Sequence, residues 1–201
     1  MSIERSWINW YYFDAEAGGI GLQFEEVVKT RRTVRKFAHK PVTDRILAKI
    51  VEMALHAPSS MNGQPWRFVI VRNRDTLRKL VELKNHFCPP EKQEFRADFI
   101  LESPVVIFTC VERARSYDRG IENGILATAN ILLAARNEGL SGVYMSAYRL
   151  DKPEVARSIR DLLGIPPDFD PITIVPLGYP GEDPPEKTIP FHQDVISHES
   201  F

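Results

Sequence analysis

The sequence predicts an α+β domain in which helices flank a central sheet. Helix-like and strand-like stretches alternate from Phe24 onward, which is typical of layered domains that combine helices with a sheet. The chain has 201 residues, of which 43% are hydrophobic and 26% charged, and this suffices for one domain with a substantial core. Since no repeat or composition break divides it, we expect a single domain over residues 22–201, preceded by an N-terminal extension over residues 1–21.

The first half of the chain is predicted to contain three helices and one strand. Residues 24–31 favour a short helix, and Thr43 followed by Asp44 can cap a second helix that ends near residue 56. Residues 66–71 (WRFVIV) are apolar, β-branched and too few for a helix, so we expect a strand. A charged surface helix is expected over residues 74–85.

The second half is predicted to contain three strands and two helices. Residues 105–111 (VVIFTCV) are continuously apolar, which indicates a strand buried on both faces. A long helix is expected over residues 117–138; its GILATANILLAA stretch has no polar face, so it belongs in the core or at an interface. The remaining elements are a strand over residues 142–146, a helix over 152–163 opened by Asp151, and a strand over 172–180.

The composition argues against several classes of partner. Lys and Arg (26) nearly balance Asp and Glu (27), so the net charge does not draw the molecule to nucleic acid or anionic lipid. No apolar run approaches the roughly 20 residues that cross a bilayer, and the N-terminus does not resemble a secretion signal. Cys88 and Cys110 have no metal-ligand spacing and suit a reducing compartment. We therefore expect a cytoplasmic protein with no metal, no nucleic-acid partner and no membrane partner.

The first candidate site is the basic segment RRTVRK, residues 31–36. Guanidinium groups bind phosphate through two parallel hydrogen bonds, and a threonine hydroxyl can add a third. The segment therefore suits a phosphorylated ligand, while a solvated basic turn is the alternative. The candidate residues are Arg31, Arg32, Thr33 and Arg35.

The second candidate site is the loop APSSMNGQPWRF, residues 57–68. Two prolines restrict its backbone, and short polar side chains provide donors and acceptors for a planar ligand with polar edges. The alternative is a structural turn that leads into the following strand. The candidate residues are Pro58, Ser59, Ser60, Asn62 and Gln64.

These two segments together resemble the flavin-binding pattern of the nitroreductase family. The shared pattern is Arg-Arg-Ser/Thr-x-Arg followed about 25 residues later by Pro-Ser-x-x-Asn-x-Gln-Pro-Trp. The resemblance continues through the apolar helix, Gly139-Leu140, GVYM and Leu-Gly-Tyr-Pro, and it covers all but about the first 20 residues. It implies a three-layer fold with a central mixed sheet, and an intertwined homodimer in which the C-terminal tail embraces the partner and FMN binds at the interface.

The resemblance also implies a role for each candidate residue. Arg35 would lie by the pyrimidine edge of the flavin and tune it, because a fixed guanidinium stabilises the negative charge of the reduced ring. The other implied FMN contacts are Arg31, Arg32 and Thr33 at the phosphate and ribityl end; Pro58, Ser59, Ser60, Asn62 and Gln64 from the partner chain; the backbone of Gly142, Val143 and Tyr144 along the ring; and Lys187 at the phosphate.

Three features depart from the family pattern. Ile189 stands where relatives often carry an arginine for the phosphate, and the sequence leaves open whether another residue replaces that contact. Residues 112–118 are too short for the extended helical lid of larger relatives, which leaves the substrate pocket open or walled by residues 84–95. The aromatic N-terminal extension has no counterpart in the pattern.

The implied activity is a ping-pong oxidoreductase. NADH or NADPH would deliver hydride to flavin N5, and small acceptors such as nitroaromatics or quinones would then be reduced over the same ring. The alternatives are reductive dehalogenation, flavin fragmentation or heterocycle dehydrogenation by the same fold, and a non-catalytic module that binds phosphate or nucleic acid. The sequence leaves the physiological substrate and the preferred donor open, and it predicts that a monomeric form would lose the cofactor.

Overall fold

The computed structural model describes residues 22–189 and 195–200, so the expected N-terminal extension lies outside the described residues. The helices are α1 (Phe24–Thr30), α2 (Asp44–Leu55), α3 (Arg74–His86), α4 (Gly120–Asn137) and α5 (Glu154–Leu163). The strands are β1 (Trp66–Val71), β2 (Val105–Glu112), β3 (Ser141–Gly142), β4 (Met145–Ser146) and β5 (Phe169–Gly178). Short 3-10 helices cover Ser60–Asn62, Pro90–Phe95 and Ala97–Glu102.

The strands form one sheet in the order β1-β2-β5-β3, with β4 also paired to β5. Every pairing between these strands is antiparallel, so the expected α+β class is confirmed but the expected mixed sheet is corrected. Parallel pairing among the described residues is confined to the isolated bridge between Thr33 and Gly142. The segment that carries Thr33 touches the sheet edge at this one position and does not form a ladder.

Two apolar cores on opposite faces of the sheet confirm the three layers. Alternate side chains of a strand point to opposite faces, and β2 shows this directly. Its Phe108 lies in the core shared with α3 and α5, whereas Ile107 lies in the core shared with α2 and α4. Residues 105–111 are all buried, as the sequence predicted.

The boundaries of α4 and of the strand predicted over residues 142–146 differ from the sequence expectation. Helix α4 begins at Gly120 and not near residue 117, because Tyr117 and Asp118 have φ angles of 50° and 57°, which a right-handed helix does not allow. The predicted strand is divided into β3 and β4. Opposite the gap lies Pro176 of β5, which has no N–H to donate and so interrupts the ladder.

Of the two predicted helix caps, the one at α2 is confirmed and the one at α5 is wrong. Thr43 caps α2 as predicted, and its hydroxyl accepts the Ile46 N–H at 3.4 Å. Asp151 does not open α5, whose N-cap is Pro153. The Asp151 carboxylate is instead held by the Arg149 guanidinium through hydrogen bonds of 3.1 and 2.5 Å, which removes it from competition for the helix N-terminus.

One face of α4 is apolar and exposed in the described chain. The helix packs on α2, β2 and β5 with one side, while Ile125 and Leu126 on the other side keep 36% and 41% of their surface exposed. The helix predicted to lack a polar face thus has a core side and a second apolar side. Among the described residues, no helix is long and apolar enough to span a bilayer, and no cluster of His, Cys, Asp or Glu is suited to a metal ion.

Candidate functional site

The basic segment, residues 31–36, lies between α1 and α2 along the edge of the sheet. Val34 and Phe37 are buried and anchor the segment in the fold, which leaves the polar side chains between them facing outward. The peptide Gly181 N–H donates to the Lys36 carbonyl at 2.9 Å, and Phe37 bridges Pro180. The basic segment is therefore fixed between β3 and the residues that follow β5.

Glu182 holds the backbone of the basic segment. Its Oε1 accepts the N–H groups of Arg35 at 2.9 Å and Lys36 at 3.3 Å. The hydrogen bond from Arg35, followed by that from Lys36, holds the pKa of the Glu182 carboxyl below its usual value. The carboxylate thus binds peptide groups and leaves the guanidinium of Arg35 available for other contacts.

The three arginines of the basic segment are used differently. Arg32 turns back onto the protein, where its guanidinium donates to the carbonyls of Lys29 at 2.6 Å, Arg31 at 2.9 Å and Pro185 at 3.3 Å. Arg35 is exposed, and its Cζ lies 5.7 Å from the centre of the Phe99 ring. Arg31 is half-buried, and its side chain forms no hydrogen bond or ion pair with any described residue. Arg31 and Arg35 are therefore the guanidiniums best placed to receive an anion.

Gly142 lets β3 approach β5 closely. A Cβ atom at this position would lie 2.6 Å from Leu177 Cδ2 and 2.7 Å from the Pro176 carbonyl oxygen, so a larger residue would push the strand away. The next residue, Val143, is buried and donates its N–H to the same carbonyl at 3.2 Å. Tyr144 follows with 43% of its surface exposed. The predicted ring-lining backbone is therefore a stretch held tightly against β5 next to Thr33.

The second candidate segment has an unusual backbone. Met61, Asn62 and Gln64 have φ angles of 50°, 53° and 46°, a region that residues with side chains adopt rarely. A hydrogen bond of 3.0 Å from the Gln64 N–H to the Ser59 hydroxyl closes the loop. Left-handed conformations at three of the four residues 61–64 persist only where surrounding contacts impose them, so the backbone of this loop is held in a defined, strained conformation.

The loop is anchored to the start of α4. The Ser60 N–H donates to Asn123 Oδ1 at 3.0 Å, and the buried Asn123 amide donates to the Ser116 carbonyl at 3.1 Å. Gly63 fits so closely that a Cβ atom there would lie 2.0 Å from the Arg115 carbonyl oxygen. The loop is thus hydrogen-bonded to α4 and packs against Arg115, whereas the basic segment is bonded to β3 and to residues 181–185.

Trp66 contributes a buried donor beside the loop. Its ring packs with Ala57 and Ala127 and is 2% exposed, and its indole N–H has no hydrogen-bond partner among the described residues. An unsatisfied buried donor costs about 1–3 kcal/mol. We therefore expect the indole N–H to donate a hydrogen bond to a water molecule or to an acceptor outside the described residues.

The segment expected to wall the substrate pocket, residues 84–95, contacts β4, and the following 3-10 helix, Ala97–Glu102, contacts the basic segment. Lys84 donates its Nζ to the Ser146 carbonyl of β4 at 2.9 Å, and burial, then the neighbouring Arg149, lower the pKa of this amine. Farther along, Phe99 faces Arg35. The sequence did not single out Phe99, because a residue in a 3-10 helix follows no helical or strand period.

The last predicted contact, Lys187, is exposed in the stretch after β5. The same stretch contains Glu182 and Pro185, which contact the basic segment, and Ile189, which is 67% exposed. Lys187 therefore lies in a part of the chain that is tied to the basic segment, and its role at the phosphate stays a prediction.

A separate groove of about 590 Å3 lies between the start of α4 and α5. Its walls include the side chains of Arg113, Arg149, Arg157 and Arg160, and none of the predicted flavin contacts lines it. Arg113 and Arg160 both bind the Asp170 carboxylate, at 2.7 Å each, so neither guanidinium is without a carboxylate partner. Because the basic segment and the β3 backbone lie elsewhere, we place the candidate site at the basic segment and not in this groove.

The nitroreductase family model matches residues 28–179. A protein of Methanothermobacter thermautotrophicus, provisionally assigned as an NADH dehydrogenase/NAD(P)H nitroreductase, is 33% identical over 178 residues, which cover 88% of this chain and 86% of that protein. The iodotyrosine deiodinase of Thermotoga neapolitana is 28% identical (88% and 97% covered), and the NADPH-flavin oxidoreductase of Vibrio harveyi is 26% identical (87% and 72% covered). The crystal structure of a Parabacteroides distasonis protein, with the same provisional assignment as the first, superposes with a TM-score of 0.77 at 27% identity (90% and 99% covered).

Proposed function

Because this chain belongs to the nitroreductase family, we propose that it is an FMN-dependent oxidoreductase that transfers electrons from NADH or NADPH to small acceptors such as nitroaromatics or quinones. The observation that carries the proposal is the basic segment. Its backbone is fixed by Glu182 and β3, while Arg31 and Arg35 keep their guanidiniums available for an anion. The flavin-linked relative from Vibrio harveyi supports the same cofactor class.

The residues of the site fit FMN in two respects. A phosphate dianion requires cations and hydroxyls in a fixed arrangement, which Arg31 and Thr33 offer on one short extended stretch. A planar ring requires a stretch of backbone in a fixed position, and Gly142, bridged to Thr33 and packed closely against β5, would provide one. Bound FMN would supply the ring that takes up and passes on electrons.

The residues of the chain would position the ring and set its charge preference. The guanidinium of Arg35 would stabilise the negative charge that develops on the pyrimidine side when the flavin is reduced. Lys187 and Arg31 would neutralise the phosphate, and the missing arginine at Ile189 makes the Arg31 contact more important. No protein acid is needed in this scheme, because solvent can provide the proton.

We further propose that the functional unit is a homodimer formed through the exposed apolar face of α4. Ile125 and Leu126 lie on this face, and exposed apolar stripes of this kind mark interfaces. The loop of residues 58–64 is held by the start of the same helix, so a partner docked there would bring its own loop to the basic segment. In this arrangement the C-terminal tail embraces the partner, and residues 22–201 act as one domain in the cytoplasm.

The first experiment is reconstitution. The purified full-length chain should be yellow, and heat denaturation should release FMN in a ratio near one per chain. Anaerobic titration with NADH and with NADPH should bleach the flavin absorbance, and addition of a nitroaromatic or a quinone should restore it. A colourless protein that does not bind added FMN would refute the proposal.

Reductive dehalogenation is the second candidate, and the deiodinase relative favours it because its similarity spans 88% of this chain. The two activities differ in the electron acceptor. Chemically reduced enzyme should be mixed in parallel with a nitroaromatic and with an iodinated tyrosine. Release of iodide at a rate that exceeds nitro reduction would assign the second activity and reject the first as the main reaction.

A further inference from the structure

We propose that Phe99 is a positioning residue, which holds the guanidinium of Arg35 in place and thereby shifts the bound flavin toward its reduced form. The proposal rests on the proposed FMN-dependent function. Arg35 Cζ lies 5.7 Å from the centre of the Phe99 ring, within the roughly 6 Å over which a cation is attracted to an aromatic face. Phe99 acts through Arg35 and is not itself placed against the flavin.

Both the main chain and the side chain of Arg35 are restrained. Its peptide N–H is bound by Glu182, so the main chain cannot rotate away from the sheet edge. The side chain is exposed and makes no ion pair with a described residue, so the contact with the Phe99 ring is what restrains the guanidinium. A long arginine side chain in water otherwise samples many rotamers, and a mobile charge stabilises a nearby anion less than a fixed one.

Phe99 can serve as a support because the 3-10 helix that carries it is itself fixed. The helix covers Ala97–Glu102, and Ala97 and Ile100 on it are buried. The Ala97 N–H donates to Asn85 Oδ1 of α3 at 2.8 Å, and the Arg74 guanidinium binds the Leu101 carbonyl at the other end. Phe99 packs against the core between the sheet and α3, so its ring cannot follow the movements of Arg35.

Removal of the ring is expected to change the redox equilibrium and not the fold. A cation held over an aromatic face at an exposed site contributes modestly, so Phe99→Leu should favour the oxidised form about threefold. For a two-electron couple this converts to a midpoint potential lower by about 14 mV. Phe99→Tyr keeps the aromatic face and should restore the wild-type potential.

The experiment measures the midpoint potential of FMN bound to each full-length variant, under anaerobic conditions with a reference dye. Phe87→Leu is the matched control, because Phe87 packs against the same core whereas the ring facing Arg35 is that of Phe99. A cycle with Arg35→Gln isolates the pair: without the guanidinium, Phe99→Leu should leave the potential unchanged. The Arg35 Nε–H resonance gives an independent reading without FMN, since the ring current of Phe99 should shift it and the shift should disappear in Phe99→Leu.

The outcomes are distinguishable. An unchanged potential in Phe99→Leu, or an equal change in the Arg35→Gln background, would overturn the positioning role while FMN content stayed normal. An Arg35 resonance that is the same in wild type and Phe99→Leu would overturn the contact itself. Absence of bound FMN in the wild type would overturn the proposed function, and the positioning role with it.

Discussion

Gly142→Ala should abolish tight FMN binding while the core of the protein remains folded. The new methyl group would lie 2.7 Å from the Pro176 carbonyl oxygen, and β3 must retreat by about 0.7 Å to restore an ordinary contact of 3.4 Å. The same movement would lengthen the bond from the Val143 N–H to that oxygen from 3.2 Å to about 3.9 Å, which is no longer a hydrogen bond.

The magnitude follows from these two effects. If β3 stays in its present position, the overpacking costs about 1–3 kcal/mol; if β3 retreats, the lost hydrogen bond costs about 1 kcal/mol. Strand β3 has two residues and lies at the sheet edge, so its detachment is the easier response. Thr33 loses its bridge in that case, and the basic segment loses its fixed position beside β3.

The assay compares FMN dissociation constants from flavin fluorescence with urea unfolding monitored by circular dichroism. Gly139→Ala is the control, because a Cβ there meets nothing within 4 Å although the φ angle of +75° adds backbone strain. We expect a large loss of FMN affinity in Gly142→Ala with a smaller change in the unfolding midpoint, and retained affinity in Gly139→Ala. Wild-type FMN affinity in Gly142→Ala would refute the close-approach argument.

Three further predictions concern charge, burial and assembly. The folded-state pKa of Glu182 is depressed, so the contribution of this carboxylate to stability is present above the ordinary value of 4.5 and is lost as the pH falls through the folded-state pKa. The difference in Tm between wild type and Glu182→Gln should therefore shrink on acidification. A Tm difference that is independent of pH would contradict this. Burial raises the pKa of the Cys110 thiol to about 12, so native Cys110 should resist iodoacetamide at pH 8 while the partly exposed Cys88 reacts, as mass spectrometry would show. The preference for the neutral thiol stabilises the fold below the unfolded pKa of 9.0, and this stabilisation is lost at higher pH. Leu126→Glu should convert the proposed dimer to a monomer without FMN in analytical ultracentrifugation, whereas Leu150→Glu, at a residue 85% exposed, should not. A monomer that keeps its flavin would contradict the proposed shared site.

The element pattern was largely predictable because local chemistry determines it. The strand at 105–111 and the cap at Thr43 follow from residue type alone, and both are confirmed. The errors arose where distant residues intervene. Arg149 captures Asp151, and Pro176 interrupts the strand predicted over residues 142–146, which sequence periodicity does not reveal.

The sequence by itself determined the α+β class, the family and the two segments proposed to bind the cofactor, because arginine clusters, prolines and apolar runs express their chemistry locally. Only the tertiary structure decided how those segments are held. Glu182, Asn123 and Phe99 support residues that lie 147, 63 and 64 positions away in the chain. Such contacts depend on which surfaces the folded sheet brings together, and no local pattern encodes them.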